Sequence, residues 1–83
     1  MRKYALLEEE KNNICKVMIY QLQEETYVFL YNTKKDASCF ADLCFDQLDD
    51  AEEYCKGLGV HNDNWIFIDD PSDDCQEDLI ECL

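Results

Sequence analysis

Six cysteines, one histidine and twenty acidic residues supply the reactive side chains of this 83-residue chain. A nucleophilic triad would need the lone His61 beside an activated serine or cysteine, and neither a G-x-S-x-G nor a cysteine-nucleophile signature is present. His61 stands between Val60 and Asn62 and reads as an exposed loop histidine. The two glycines, Gly57 and Gly59, sit together at the end of one apolar-periodic run, so no glycine-rich phosphate loop exists. The expectation is a chain that is not an enzyme, with no catalytic residue and no cofactor.

Metal chemistry fares no better. No two of Cys15, Cys39, Cys44, Cys55, Cys75 and Cys82 have C-x-x-C spacing. Cys39 and Cys44 would point to opposite faces of one strand and could not close on one ion without a bulge. Cys15, Cys39 and Cys55 read as small buried hydrophobes. Cys75 and Cys82 read as surface thiols or, with a third cysteine, as parts of a metal- or thiol-dependent regulatory site. The run Asp69-Asp70-Pro71-Ser72-Asp73-Asp74 offers calcium oxygens, but an EF-hand counted from Asp69 would need glycine at Asp74 and glutamate at Ile80. No metal site is expected.

What remains is charge. The net charge is −13, and it is uneven. Residues 1–35 carry five acidic and six basic side chains, whereas residues 36–83 carry fifteen acidic ones against Lys56 alone. Such a half repels nucleic acid and anionic membrane and attracts basic protein surfaces. Solubility alone is the plainer reading of the same acidity. Trp65 and Phe67 lie just upstream of the densest acidic run, and aromatics beside carboxylates resemble a binding surface.

These residues must be positioned by a small fold. Nearly half the chain is hydrophobic, enough for one thin-cored domain over residues 1–83. Ile14 to Asn32 holds two β-rich apolar runs around Gln23-Glu24-Glu25, a hairpin whose two faces both seek cover. Tyr27, Phe29 and Tyr31 take one face, Val28 and Leu30 the other. Arg2 to Glu8 precedes it as a strand, with Tyr4 and Leu6 opposite Ala5 and Leu7. Glu9 to Asn13 is a turn in which the asparagines accept positive φ. Ser38 to Phe45 alternates as a fourth strand. Asp46 caps a helix carrying the stripe Leu48, Ala51, Cys55 and Leu58, ended by Gly57 or Gly59. Asn64 to Ile68 is a short last strand stopped by Pro71. The segment Ser72 to Leu83 fits either a helical turn or an extended tail. The fold class is α+β: a two-layer antiparallel meander with one helix on one face, a short fifth strand and an acidic C-terminal tail. One helix covers one face, so the tail or another protein must cover the second.

The stretch Asn64-Trp65-Ile66-x-Ile68-x-Asp70-Pro71, followed by Cys75-Gln76-x-Asp78, resembles the C-terminal signature of a family of small uncharacterised bacterial proteins. The upstream layout from Ala41-Asp42 to Tyr54-Cys55 is similar too, so the resemblance spans roughly the second half of the chain. Asp73-Asp74 stands where proline and glycine would be expected. The resemblance implies the order of elements and a bacterial origin, and it brings no activity.

Met1-Arg2-Lys3 is basic, but the apolar run after it stops at Glu8, too short for an export signal. A cytoplasmic chain with reduced thiols is therefore expected. The functional expectation is a small acidic, non-catalytic binding protein occupying a basic surface of a partner protein. Immunity proteins that neutralise toxins and inhibitors that mimic nucleic acid share this profile. The expected partner-binding residues are Asp49, Glu52, Glu53, Trp65, Asp69, Asp70, Asp73 and Asp74. Direct nucleic-acid and membrane contacts are not expected, and a homodimer through an apolar sheet face is the other association the pattern allows.

Overall fold

The computed structural model describes residues 1–81. Five strands and one helix follow in order: β1 (Arg2–Lys11), β2 (Ile14–Gln21), β3 (Thr26–Tyr31), β4 (Ala41–Phe45), α1 (Leu48–Gly57) and β5 (Ile66–Ile68), with a single 3-10 turn at Asn62–Asn64 before β5. The sheet order is β4-β3-β2-β1-β5, every pairing antiparallel. The first four strands are the expected meander, with the β2–β3 hairpin inside it. β4 and β5 close opposite edges and run in the same direction, so α1 carries the chain across one face of the sheet.

The β1–β2 turn is tighter than expected. β1 runs on to Lys11, which pairs with Ile14 after a register shift beyond Leu6. Only Asn12 and Asn13 remain for the turn, at φ 54° and 67°, and a two-residue hairpin turn of this hand needs positive φ at both places. Asn is among the few non-glycine residues that tolerate it.

Strand alternation sorts the interior into two clusters. Ala5, Leu7, Val17, Ile19, Val28 and Leu30 face α1 and meet Ala51, Cys55 and Leu58, so the helical stripe packs as its spacing predicts. Met18, Tyr20, Phe29 and Tyr31 form the opposite, more aromatic face. The chain's own tail covers that face, with Ile80 packed against it. The tail is neither helix nor strand but a succession of turns and bends.

The start of the helix differs from the sequence reading, and its end agrees with it. Gln47, not Asp46, is the N-cap, and its side chain makes no capping bond. Asp49 and Asp50 in the first turn supply the negative charge that the dipole favours. At the other end Leu58 is the C-cap, and Gly59, at φ +98°, takes the left-handed position. β4 starts at Ala41 and β5 at Ile66, both later than expected.

Candidate binding surface

Three of the seven cations are sunk into the fold, which the sequence did not announce. Arg2, Lys3 and Lys16 are all buried. Arg2 reaches across the sheet end to the tail. Its Nε donates to the Asp69 carbonyl at 2.8 Å, and its Nη1 donates to the carbonyls of Glu77 at 3.0 Å and Leu79 at 2.6 Å. The planar guanidinium suits such forked donation. Lys16 donates to the Lys35 carbonyl at 2.7 Å and sits 4.4 Å from the centre of the Tyr31 ring. Burial pulls its ammonium pKa down, and Asp36 then Cys15 oppose that shift.

Lys3 organises the helix side. Its ammonium pairs with Glu52 and lies 4.7 Å from the Trp65 ring centre and 5.5 Å from that of Phe67. Cation, carboxylate and two rings therefore join α1 to β5 at one edge of the sheet. Next to them Asp49, Glu52, Glu53, Lys56 and Asn62 line a shallow groove. Further along α1, Asp46, Asp50 and Glu53 border a second groove with Phe45 and Tyr54, whose rings lie 5.8 Å apart.

The expected binding residues thus fall into two groups. Asp49, Glu52, Glu53 and Trp65 come together on the helix side. Asp69, Asp70, Asp73 and Asp74 belong to the tail, which leads over the other face. The Asp70 carboxylate pairs with the amino group of Met1 at 3.0 Å, and Asp69 offers its carbonyl to Arg2, so both help fasten the tail. Asp73 and Asp74 stay exposed on its turns.

More fastenings follow. Tyr31 donates its hydroxyl to the Asp78 carbonyl at 2.6 Å, and the Asp78 carboxylate accepts from the Cys39 N–H at 2.9 Å. Asp36 accepts from the N–H groups of Ile80 at 2.7 Å and Glu81 at 2.9 Å. Burial, reinforced by Asp78, drives the Tyr31 phenol well above its usual range.

The free thiols differ in exposure. Cys15, Cys39, Cys44 and Cys55 are free, Cys55 buried and Cys44 exposed. Cys75 is disulfide-bonded, where a reduced thiol was expected. Burial pushes the thiol of Cys55 up to about 12 and that of Cys39 up to about 11. Among the described residues no three His, Cys, Asp or Glu side chains gather where they could hold a metal ion. Cys82 lies outside the described residues. Among them, no helix is long and apolar enough to cross a membrane.

Sequence reasoning placed Phe67 at a binding surface but passed over the exposure of Leu6, Phe40 and Ile66. No sequence signal announced it, since a strand with no polar residue reads as covered on both faces. No family model, curated protein or solved structure matches this chain.

Proposed function

We propose that this chain is a small acidic binding protein that occupies a basic surface of a partner protein, in the manner of an immunity protein or a nucleic-acid-mimicking inhibitor. The observation that carries the reading is where the cations go. Arg2, Lys3 and Lys16 are buried, which leaves the outer surface more anionic than the net charge of −13 conveys. The carboxylates of α1 then stand beside half-buried Trp65 and exposed Phe67 with Lys56 as the one exposed helix cation. Charge of this kind speeds encounter, and the rings supply the short-range contact. Four free thiols fit a reducing compartment, so a cytoplasmic setting belongs to the proposal, with Cys75 its exception.

The test compares two double reversals on opposite faces, Asp49→Lys with Glu53→Lys, and Asp73→Lys with Asp74→Lys. Neither pair includes Glu52 or Asp70, whose carboxylates hold ion pairs within the fold. A partner captured from the source cell is measured against each at low and high salt. The helix pair should slow association most, and salt should slow the wild type. Equal binding by all three proteins at both salts would leave the acidity as a solubilising coat.

A further inference from the structure

Among the described residues, three of the four large hydrophobic side chains that stand exposed, Leu6, Ile66 and Phe67, belong to the neighbouring strands β1 and β5, and Phe40 is the fourth. Phe67 is 67% exposed and Ile66 47%, and they point to opposite faces of the sheet. Phe67 is registered with Lys3 on the helix side, while Ile66 is registered with Tyr4 on the tail side. A partner laid on either face would cover only one of them. A strand added along the outer edge of β5 sets side chains beside both. That edge ends the sheet, and among the described residues no strand pairs with it.

Charge selects the occupant. Exposed Asp63 precedes the strand and exposed Asp69 follows it, while neighbouring Asp70 and Glu52 are already paired with the Met1 amine and Lys3. A second copy would bring another −13 and set these same carboxylates against one another across a two-fold axis. We propose that the outer edge of β5 receives an extended, lysine- or arginine-bearing segment of the partner as a sixth strand. The proposal rests on the acidic-binder reading above and gives that partner's contact a form. β5 has three residues and Pro71 follows soon after, so the ladder is short. Phe67, Trp65 and the flanking carboxylates must therefore supply most of the selectivity.

The experiment titrates isotope-labelled full chain with a short synthetic peptide alternating lysine and valine. Two controls accompany it: the same peptide N-methylated at alternate backbone nitrogens, and a version with glutamate for lysine. Only the first peptide should shift the amides of Ile66–Ile68 and slow the exchange of those that point away from β1. Phe67→Ala should weaken it roughly tenfold, as loss of an anchoring aromatic does, with only a small fall in melting temperature, because the ring is largely exposed and Lys3 keeps Glu52 and Trp65. Ile66→Ala gives a second reading from the other face. If both lysine peptides bind equally and shift only α1 amides, edge addition is overturned while the acidic-binder reading stands. If neither lysine peptide shifts any amide, both fall. If exchange at Ile66–Ile68 slows with protein concentration alone, a second copy holds the edge and the proposal is overturned.

Discussion

Arg2 Nη1 lies 2.6 Å from the carbonyl oxygen of Leu79, a hydrogen bond that ties β1 to the tail across almost the whole length of the chain. With the bonds to Asp69 and Glu77, one buried guanidinium recognises three backbone oxygens and, among the described residues, no side chain. The tail's path therefore depends on Arg2 more than on most of the tail's own residues.

Arg2→Ala should lower unfolding stability by about 2–3 kcal/mol, the scale of losing a buried charged donor set. Arg2→Lys should recover only part of it, since an ammonium lacks the fork. Amide exchange at residues 77–81 should accelerate in both variants, and in the alanine variant more. Unchanged exchange there would mean that the tail's other fastenings, those of Tyr31, Asp36 and Asp78 among them, hold it without Arg2.

The two glycines give a paired prediction. An added Cβ meets nothing within 4 Å at either place, but Gly59 has φ +98°. Gly57→Ala should stabilise by roughly 0.5–1 kcal/mol through helix propensity and the unfolded chain. Gly59→Ala should destabilise by about 1 kcal/mol because its backbone is strained for an L side chain. Denaturant melts that ranked the two in the opposite order would contradict the assignment of Gly59 as the left-handed residue.

Leu58 and Leu48 share one stripe and differ in depth. Leu58 is 9% exposed, and its loss to alanine should cost about 2–3 kcal/mol. Leu48 is only half-buried and should cost less. Since a domain this size holds on the order of 5 kcal/mol, Leu58→Ala should melt markedly earlier than Leu48→Ala. Equal melts would show that the end of α1 is not seated on the sheet.

Alkali should unfold the protein. Burial raises the folded-state pKa of Cys39 to about 11 and of Cys55 to about 12, from 9.0. Above pH 9 the unfolded chain loses these protons first, so stability is full below that pH and falls as pH rises through the folded values. Tyr31, also raised, acts in the same sense above its ordinary value of 10.0, and Lys16, lowered by burial, acts in the opposite sense. Melts taken at increasing pH should decline more gently for Cys55→Ala than for wild type. In native alkylation exposed Cys44 should react first and Cys55 last. Rapid labelling of Cys55 would place it outside the core.

Much of the architecture was legible because it is periodic. Alternation in Tyr27 to Tyr31 sorted side chains to the right faces, and the spacing of Leu48, Ala51, Cys55 and Leu58 placed the helix against the sheet. Asn12-Asn13 announced a positive-φ turn, though not how short it is. The burial of Arg2, Lys3 and Lys16 was not legible. A charged residue in a strand reads as surface, and the carbonyls and rings that satisfy these three belong mostly to distant residues. The tail escaped for a related reason: its backbone has no period, and it is held by partners elsewhere in the chain. The binding residues were grouped by closeness in sequence, and the sheet separates that group because α1 and the tail lie on opposite faces. Cys75-Gln76-x-Asp78, which carries much of the resemblance, has structural work here: Gln76 accepts from Ser38 at 3.3 Å, and Asp78 holds Cys39 and Tyr31.

The pairing of Arg2 with Ile68 sets the order in which the protein can be finished. A ribosome adding roughly 5–20 residues per second completes the meander seconds before it delivers β5 and the tail. During that interval β1 has a bare edge, the aromatic face of β2 and β3 is uncovered, and Arg2 has none of its three carbonyl partners. The local hairpins form early, while the closing contacts span most of the chain and form late. The nascent chain therefore passes through a stage with a sticky sheet and an unfastened guanidinium, which ends only once β5 and the tail have been made.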